Sequence, residues 1–409
     1  MKYIIQKIKI HLLLIGSLIL VVSSCNKPPE EFPEETVPPP TGLSLGGMLA
    51  ATPTDSLYFR LISKAGMVPL ISNVDATYTM FVPDNNAMKL FINAISGGLV
   101  PLTAPDAVFS AFITANIPAS TAGAIVSYNT CPQTLTSANI PSTFPNFQYP
   151  SILNPAPSVS ALLRLTTFPT TRNGNWVNNI PLISPNLFAA NGIIYNTAFV
   201  PTPPQRYLWD RISTDPKLTY LKAAINRADS GTAAPGTLQG ALLNIGANLT
   251  VFAPTDAAFQ VTLTGAIYKG LVAMGVPPAI AFGQAKVLAS SPAVFSNPAL
   301  YGVLTAQTVK GIVVYHILGS RAYTNNFPTT ATKYPTLLNG GIPTHTGVEL
   351  IAVFGTPFVT AATVKGFANA TASNIIINAS PLTPDPSGTS DQQYLNGVLQ
   401  KIDQVLLPQ

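Results

Sequence analysis

Charge is what this chain most conspicuously lacks. Charged side chains make up 9% of its 409 residues, against roughly 25% in ordinary globular proteins. Histidine occurs three times and cysteine twice, so the clustered His and Cys ligands of a zinc site are missing. No carboxylate pair and no Gly-rich phosphate loop behind a strand stands out. The stretch Asp385 to Asp391, with Ser387, Gly388, Thr389 and Ser390, does not have the spacing of an EF-hand loop. A Ser-His-Asp set assembled in space from His316 or His345 is the one catalytic arrangement that spacing leaves open. The expectation is a protein that is not an enzyme and uses no metal or cofactor. Nor is there a basic patch. Without Lys2, Lys7 and Lys9 of the leader, 18 basic residues face 16 acidic ones, a balance that argues against nucleic acid as partner.

Proline (39) and glycine (28) are plentiful instead, and Ser, Thr and Asn are frequent. Neutral polar groups and loops keep such a chain in solution, a composition suited to an extracellular β-rich protein. The amino terminus reads as an export signal over 1–24. Lys2, Lys7 and Lys9 precede the apolar run His11 to Val22, which is too short to span a bilayer comfortably. Val22-Ser-Ser-Cys25 then resembles a bacterial lipobox, in which Cys25 becomes the lipid-bearing terminus. Acyl chains contribute about 0.8 kcal/mol per buried CH₂, so several of them anchor a protein firmly. Residues 25–42 read as a tether. Pro28, Pro29, Pro33, Pro38, Pro39 and Pro40 bias it to extended backbone, and Glu30, Glu31, Glu34 and Glu35 repel one another. Acidic residues soon after the lipidated Cys are similar to the surface-export signals of Bacteroidetes lipoproteins. The expected location is the bacterial envelope, as an outer-membrane lipoprotein on the surface or the periplasmic face. With Cys25 acylated, Cys131 has no intramolecular partner, and a small buried apolar role is expected for it.

The rest of the chain is written twice. Tyr78-Thr-Met-Phe-Val-Pro-Asp-Asn-Asn-Ala-Met88 is echoed by Leu249-Thr-Val-Phe-Ala-Pro-Thr-Asp-Ala-Ala-Phe259. Ile125-Val-Ser-Tyr-Asn129 is echoed by Ile312-Val-Val-Tyr-His316, and Phe147 to Asn154 by Thr332 to Asn339. Phe188-Ala-Ala-Asn-Gly-Ile-Ile-Tyr-Asn-Thr-Ala-Phe-Val-Pro201 is echoed by Tyr394-Leu-Asn-Gly-Val-Leu-Gln-Lys-Ile-Asp-Gln-Val-Leu-Leu-Pro408. The order is kept, so a whole domain is duplicated. Copy 1 spans 43–203 and copy 2 spans 205–409. Pro201, Pro203 and Pro204 mark a boundary without a long linker, so the copies should pack against each other or hold a limited range of angles. In the alignment Cys131 falls opposite Leu318.

Each landmark has a physical reading. The first is a strand ended by Pro83 or Pro254, which offers no N–H to a ladder. Asp84 or Thr255 then caps a helix, and Asp256 sits favourably in its first turn. Asn191-Gly192 and Asn396-Gly397 are tight-turn signals between strands. Tyr315-His316 follows a helical run and has Tyr128-Asn129 as its counterpart. Two roles are open for His316: contact with a ligand beside Tyr315, or satisfaction of buried backbone groups. The structural role is the expectation.

Together the four landmarks resemble the fasciclin domain, and they cover nearly all the chain after residue 43. The resemblance implies an α+β fold, two tandem domains that are each a β-sandwich wedge with helices along one side. It also implies cell adhesion or matrix attachment, with an extracellular protein or polysaccharide as partner. No Arg-Gly-Asp tripeptide is present to support integrin-type recognition. From Pro254 to Tyr315 the second copy is about 16 residues longer than the first from Pro83 to Tyr128, with the extra material around 274–300. The alternative is glycan capture beside an outer-membrane importer, for which Trp176, Tyr195 and Trp209 are candidate platform aromatics; an exported hydrolase is third. Neither ligand nor oligomeric state is written in the sequence.

Cys25→Ser should release the protein from membranes. Fractionation and labelled fatty-acid incorporation check this; a variant that stays with the envelope, beside a wild type that takes up no label, overturns the lipobox reading.

Overall fold

The computed structural model describes residues 41–184, 186–340, 347–355, 358–378 and 388–409. The leader, Cys25 and the tether up to residue 40 therefore lie outside the described residues. Gly42 to Gln409 forms one compact unit of mixed α and β structure, and the duplication is visible in it strand by strand.

In copy 1, helices α1 (Leu45–Ala51) and α2 (Ser56–Lys64) lead to strand β1 (Tyr78–Pro83). Helices α3 (Asn85–Ile95), α4 (Asp106–Asn116) and α5 (Ala119–Tyr128) follow, then strand β2 (Thr130–Cys131) and the hairpin β3 (Leu187–Ala189) and β4 (Gly192–Thr197). Copy 2 repeats the plan. It has α6 (Leu208–Thr214), α7 (Thr219–Ala228), β5 (Leu249–Pro254), α8 (Asp256–Ala273), α9 (Pro278–Leu288), α10 (Ala306–Tyr315) and β6 (Ile317–Leu318). It then extends its sheet with β7 (Thr332–Tyr334), β8 (Val348–Phe354), β9 (Val359–Lys365), β10 (Ser373–Ile375), β11 (Gln392–Tyr394) and β12 (Gly397–Ile402).

The first motif strand and the closing strand lie side by side in parallel in both copies, and the register is the same. Tyr78 is opposite Gly192 and Pro83 opposite Thr197; Leu249 is opposite Gly397 and Pro254 opposite Ile402. On the far side of the motif strand, Cys131 pairs with Thr79 and Leu318 with Thr250. The two threonines do the same work. Thr79 Oγ1 donates to Gln133 O and accepts from Leu135 N; Thr250 Oγ1 donates to Ser320 O and accepts from Ala322 N.

Every residue of β1, β4, β5 and β12 is buried. These strands are covered on both faces, which explains their nearly unbroken apolar sequence. Alternation then sorts the side chains. Leu249, Val251 and Ala253 enter a core with the helices of copy 2. Phe252 points the other way, into a core with Leu318, Val348, Leu350, Val364 and Ile402. In copy 1, Tyr78, Met80 and Val82 meet helices, while Phe81 meets Cys131, Val177 and Tyr195. Cys131 is wholly buried there, and burial pushes its thiol up to about 12, so it is an inert core residue.

The closing hairpins turn at Ala190-Asn191 and Leu395-Asn396, with Gly192 and Gly397 as the first paired strand residues, and the asparagines also act as latches. Asn191 Oδ1 accepts from Leu45 N at 2.7 Å, and its Nδ2 donates to Ile71 O and Asn73 O. Asn396 Oδ1 accepts from Leu208 N at 3.0 Å, and its Nδ2 donates to Leu242 O. One buried amide thus ties the closing strand to the start of the opening helix. The following glycine admits this approach. A Cβ on Gly192 would lie 1.9 Å from Tyr78 O, and one on Gly397 2.4 Å from Leu249 O.

A seam of amides and aromatic rings joins the copies. Asn173 Nδ2 donates to Asn325 O and Phe327 O, Asn325 Nδ2 to Asn178 O, and Asn326 Nδ2 to Thr143 O. Phe168 packs against Tyr323 and Val398, and Phe144 sits edge-on to Phe327 and Tyr334. Among the described residues no single helix is long and apolar enough to cross a membrane.

Asn396→Ala should cost about 1–3 kcal/mol, the range for leaving buried backbone groups unpaired. Chemical denaturation of the full chain measures it, and Asn191→Ala should show a loss of similar size. A change within about 0.5 kcal/mol would remove the latch from the account.

Candidate functional site

The Tyr-His motif serves the fold. His316 is the C-cap of α10 and is 2% exposed. Its Nδ1 lies 2.8 Å from Ile312 O and its Nε2 2.8 Å from the Leu406 N–H. The carbonyl requires a donor and the N–H an acceptor, which selects the neutral ring protonated on Nδ1. Burial drives the imidazole pKa down to about 4, against a smaller opposing effect of the Ile312 carbonyl. Both nitrogens are committed to backbone, so this ring is no general base. Tyr315 is fully buried; its hydroxyl donates to Gly347 O and accepts from Phe367 N.

Copy 1 fills the same place differently. Asn129 Nδ2 donates to Ile125 O and to Pro201 O. The closing segment presents a carbonyl where copy 2 presents an N–H, so an amide donor suits it and a neutral imidazole does not. Tyr128 hydroxyl accepts from Asn178 Nδ2 and from Gln393 Nε2 of the other copy. The first copy's tyrosine therefore belongs to the seam.

The Pro-Thr-Asp turn is structural as well. Asp84 and Thr255 cap α3 and α8 by accepting from Ala87 N and Ala258 N, after the strands that end at Pro83 and Pro254. Asp256 Oδ1 accepts from Tyr220 N and its Oδ2 from the Thr219 hydroxyl. Asn85 does the equivalent for Leu57 N at the head of α2.

Among the described residues a buried ion cluster appears in copy 2 and not in copy 1. Asp215 Oδ2 lies 2.6 Å from Lys401 Nζ and 2.9 Å from Arg211. Burial by itself pushes the Asp215 carboxyl up, but Lys401, the Lys217 N–H and Arg211 together hold it below the usual carboxylate range. Burial lowers the Lys401 pKa, with Asp215 opposing. At the matching position of copy 1, Asn196 donates to Asp55. The cluster joins α6 to the closing strand, a structural task.

Three sequence expectations need correction. Trp176 and Tyr195 are 3% exposed and Trp209 is 9% exposed; all three are core residues, and none forms a sugar platform. His345 and Asp385 lie outside the described residues. Among the described residues no three His, Cys, Asp or Glu side chains gather to hold a metal.

The notable concavity is a groove of about 580 Å³ in copy 2, within the size range of small-molecule sites. One wall is the outer face of α7, where Thr219, Lys222, Ala223, Asn226 and Arg227 recur at helical spacing, continued by Ser230 just past its C-terminus. The other wall is formed by the 3₁₀ turn Pro292–Ser296 together with Tyr301. In copy 1 the corresponding helix α2 is held against the three-turn helix α4. Arg60 donates to Thr114 Oγ1 and Lys64 to Thr114 O. In copy 2 the 3₁₀ turn Pro292–Ser296 packs against α7 instead, while α9 lies on α8, and the groove runs between α7 and that turn. Sequence reading flagged the longer segment around 274–300 without seeing this consequence. A smaller cavity of about 200 Å³, lined by Trp176, Phe358, Asn325 and Asp391, lies at the seam.

No family model and no curated protein matches the chain. Among solved structures, a FAS1 domain pair from the insect cell adhesion molecule fasciclin I is similar to it. That likeness covers 87% of this chain and 97% of the other, at 12% identity and a TM-score of 0.32.

The pH behaviour of His316 follows from its lowered pKa. The unfolded ring takes a proton near 6.5 and the folded ring only near 4. Its contribution to stability is complete above about pH 6.5, declines as pH falls, and is gone below about pH 4, a change on the order of 3 kcal/mol. Urea unfolding across that window should show the slope, and His316→Asn should flatten it. An unchanged slope in the variant would place the titrating group elsewhere.

Proposed function

We propose that the protein is an exported, lipid-anchored binding protein of the bacterial outer membrane, with two fasciclin-like domains that attach the cell to an extracellular protein or polysaccharide. The fasciclin reading is carried by the four motifs, each repeated in order, of which the opening strand with its cap, the Tyr-His or Tyr-Asn position and the closing hairpin hold the same structural place in both copies. The lipid anchor is carried by the sequence around Cys25.

The single observation behind binding is the copy 2 groove. The motif residues are occupied with capping, latching and backbone satisfaction, whereas Lys222, Asn226 and Ser230 are exposed along an open concave face. Binding also fits a chain with so little charge. Neutral hydroxyl and amide surfaces make many modest contacts, and several anchored copies on one cell gain by multivalency. Because hydroxyl and amide groups line part of the groove, the glycan-capture alternative stands close behind attachment. A hydrolase is disfavoured, since His316 has both nitrogens bonded to backbone.

The full-length protein in detergent should bind at least one component of an array of polysaccharides and matrix proteins, with no turnover of the bound glycan or peptide. No binding to any class overturns the reading; turnover of a bound component makes the protein an enzyme.

A further inference from the structure

We propose that the copy 2 groove is a binding site for an acidic saccharide, a short run of sugar rings carrying carboxylates. The inference rests on the binding function proposed above and names the ligand class for it.

Four observations converge. The first is shape. From Thr219 to Arg227 the α7 wall runs roughly 12 Å at 1.5 Å per residue, so the groove suits an extended chain better than a compact metabolite. The second is polarity. Thr219, Asn226 and Ser230 line one wall and Ser296 the other, supplying hydroxyl and amide groups of the type that bond sugar hydroxyls.

The third is charge. Lys222 and Arg227 both line the groove, and among the described residues Lys222 Nζ reaches only the Ser213 carbonyl. The acids within reach are already committed. Asp215, which also lines it, is buried in ion pairs with Lys401 and Arg211. Asp256, behind Thr219, accepts from Thr219 and Tyr220. The groove therefore presents two cations without a free carboxylate to answer them. In a protein with 9% charged residues, that is a local concentration of unanswered positive charge.

The fourth is preorganisation. Arg227 Nε donates to Leu304 O at 2.9 Å, and its guanidinium lies 3.7 Å from the centroid of the Tyr301 ring. The side chain is held in one orientation, and its two terminal nitrogens have no partner among the described residues. A planar fork held in this way pairs bidentately with a carboxylate. Tyr301, which also lines the groove and is 40% exposed, adds an aromatic surface of the kind that sugar rings pack against. The equivalent cation in copy 1, Lys64, is instead bonded to α4 through Thr114 O.

Isothermal titration of the full-length protein in detergent with tetragalacturonate, and with its methyl ester, tests this. Binding of the acid is expected, falling with added salt, and at least tenfold weaker for the ester. Lys222→Glu should weaken it at least tenfold. Asn226→Trp, a change at an exposed position that fills the groove, should abolish it while leaving the melting temperature in place. Lys64→Ala in copy 1 should bind as the wild type does. Equal affinity for acid and ester, or unimpaired binding by Asn226→Trp, overturns the assignment. If the array yields a protein or neutral-glycan partner and tetragalacturonate does not bind, the acidic-saccharide assignment falls and the broader binding function stands.

Discussion

Each half of the molecule depends on one pairing: the strand that opens it must lie in parallel against the strand that closes it. The two come from opposite ends of the copy, so their contact is bought with loop-closure entropy before any local gain. The duplicated motifs are what offsets that cost. The strands are apolar on both faces, so their contact removes a large apolar area from water. A proline stops each motif strand and a capping residue starts the next helix, which fixes the register from one end. The Asn latch fixes it from the other, by tying the closing turn to the N–H of Leu45 or Leu208. Helices then pack on one face and the second β layer on the other.

The copies have diverged in what surrounds this shared frame. Copy 2 extends its sheet through β7, β8, β9 and β10, while copy 1 has short separate ribbons such as Tyr149–Pro150 with Thr166–Thr167. The first copy turns Tyr128 towards the second, whose Tyr315 stays internal. The first fills its helical flank with α4, and the second opens its flank as a groove. The seam draws chiefly on loops rich in Asn, whose side chains both donate and accept. Neutral amides can cross a dry interface without the desolvation cost of charges, in keeping with a chain that carries so few.

Much of the frame was legible in the sequence because it depends on local chemistry. Pro254, Thr255 and Asn396-Gly397 announce a strand end, a cap and a turn wherever they stand. Their partners were not legible, because those partners are remote. Nothing near Asn396 indicates that its carboxamide will meet Leu208 and Leu242. The ion cluster of Asp215 and Lys401 was hidden for the same reason. The aromatic candidates failed because residue type does not report burial: Tyr195 is covered by a second β layer whose strands in copy 1 are only two residues long, and Trp176 lies in one of those strands. The groove escaped notice because it arises from a difference between copies, a helix in one and a proline-headed 3₁₀ turn in the other. Length alone signalled that difference.

The latch also bears on how such a molecule ages. Asn followed by Gly is the dipeptide most prone to spontaneous deamidation, because the glycine nitrogen can swing onto the side-chain carbonyl and form a cyclic imide. At Asn191 and Asn396 both ends of the carboxamide are held by backbone groups, and the next residue is already paired in a strand. The folded state thus withholds the geometry that the cyclisation needs, and the protein keeps these two amides for as long as it stays folded.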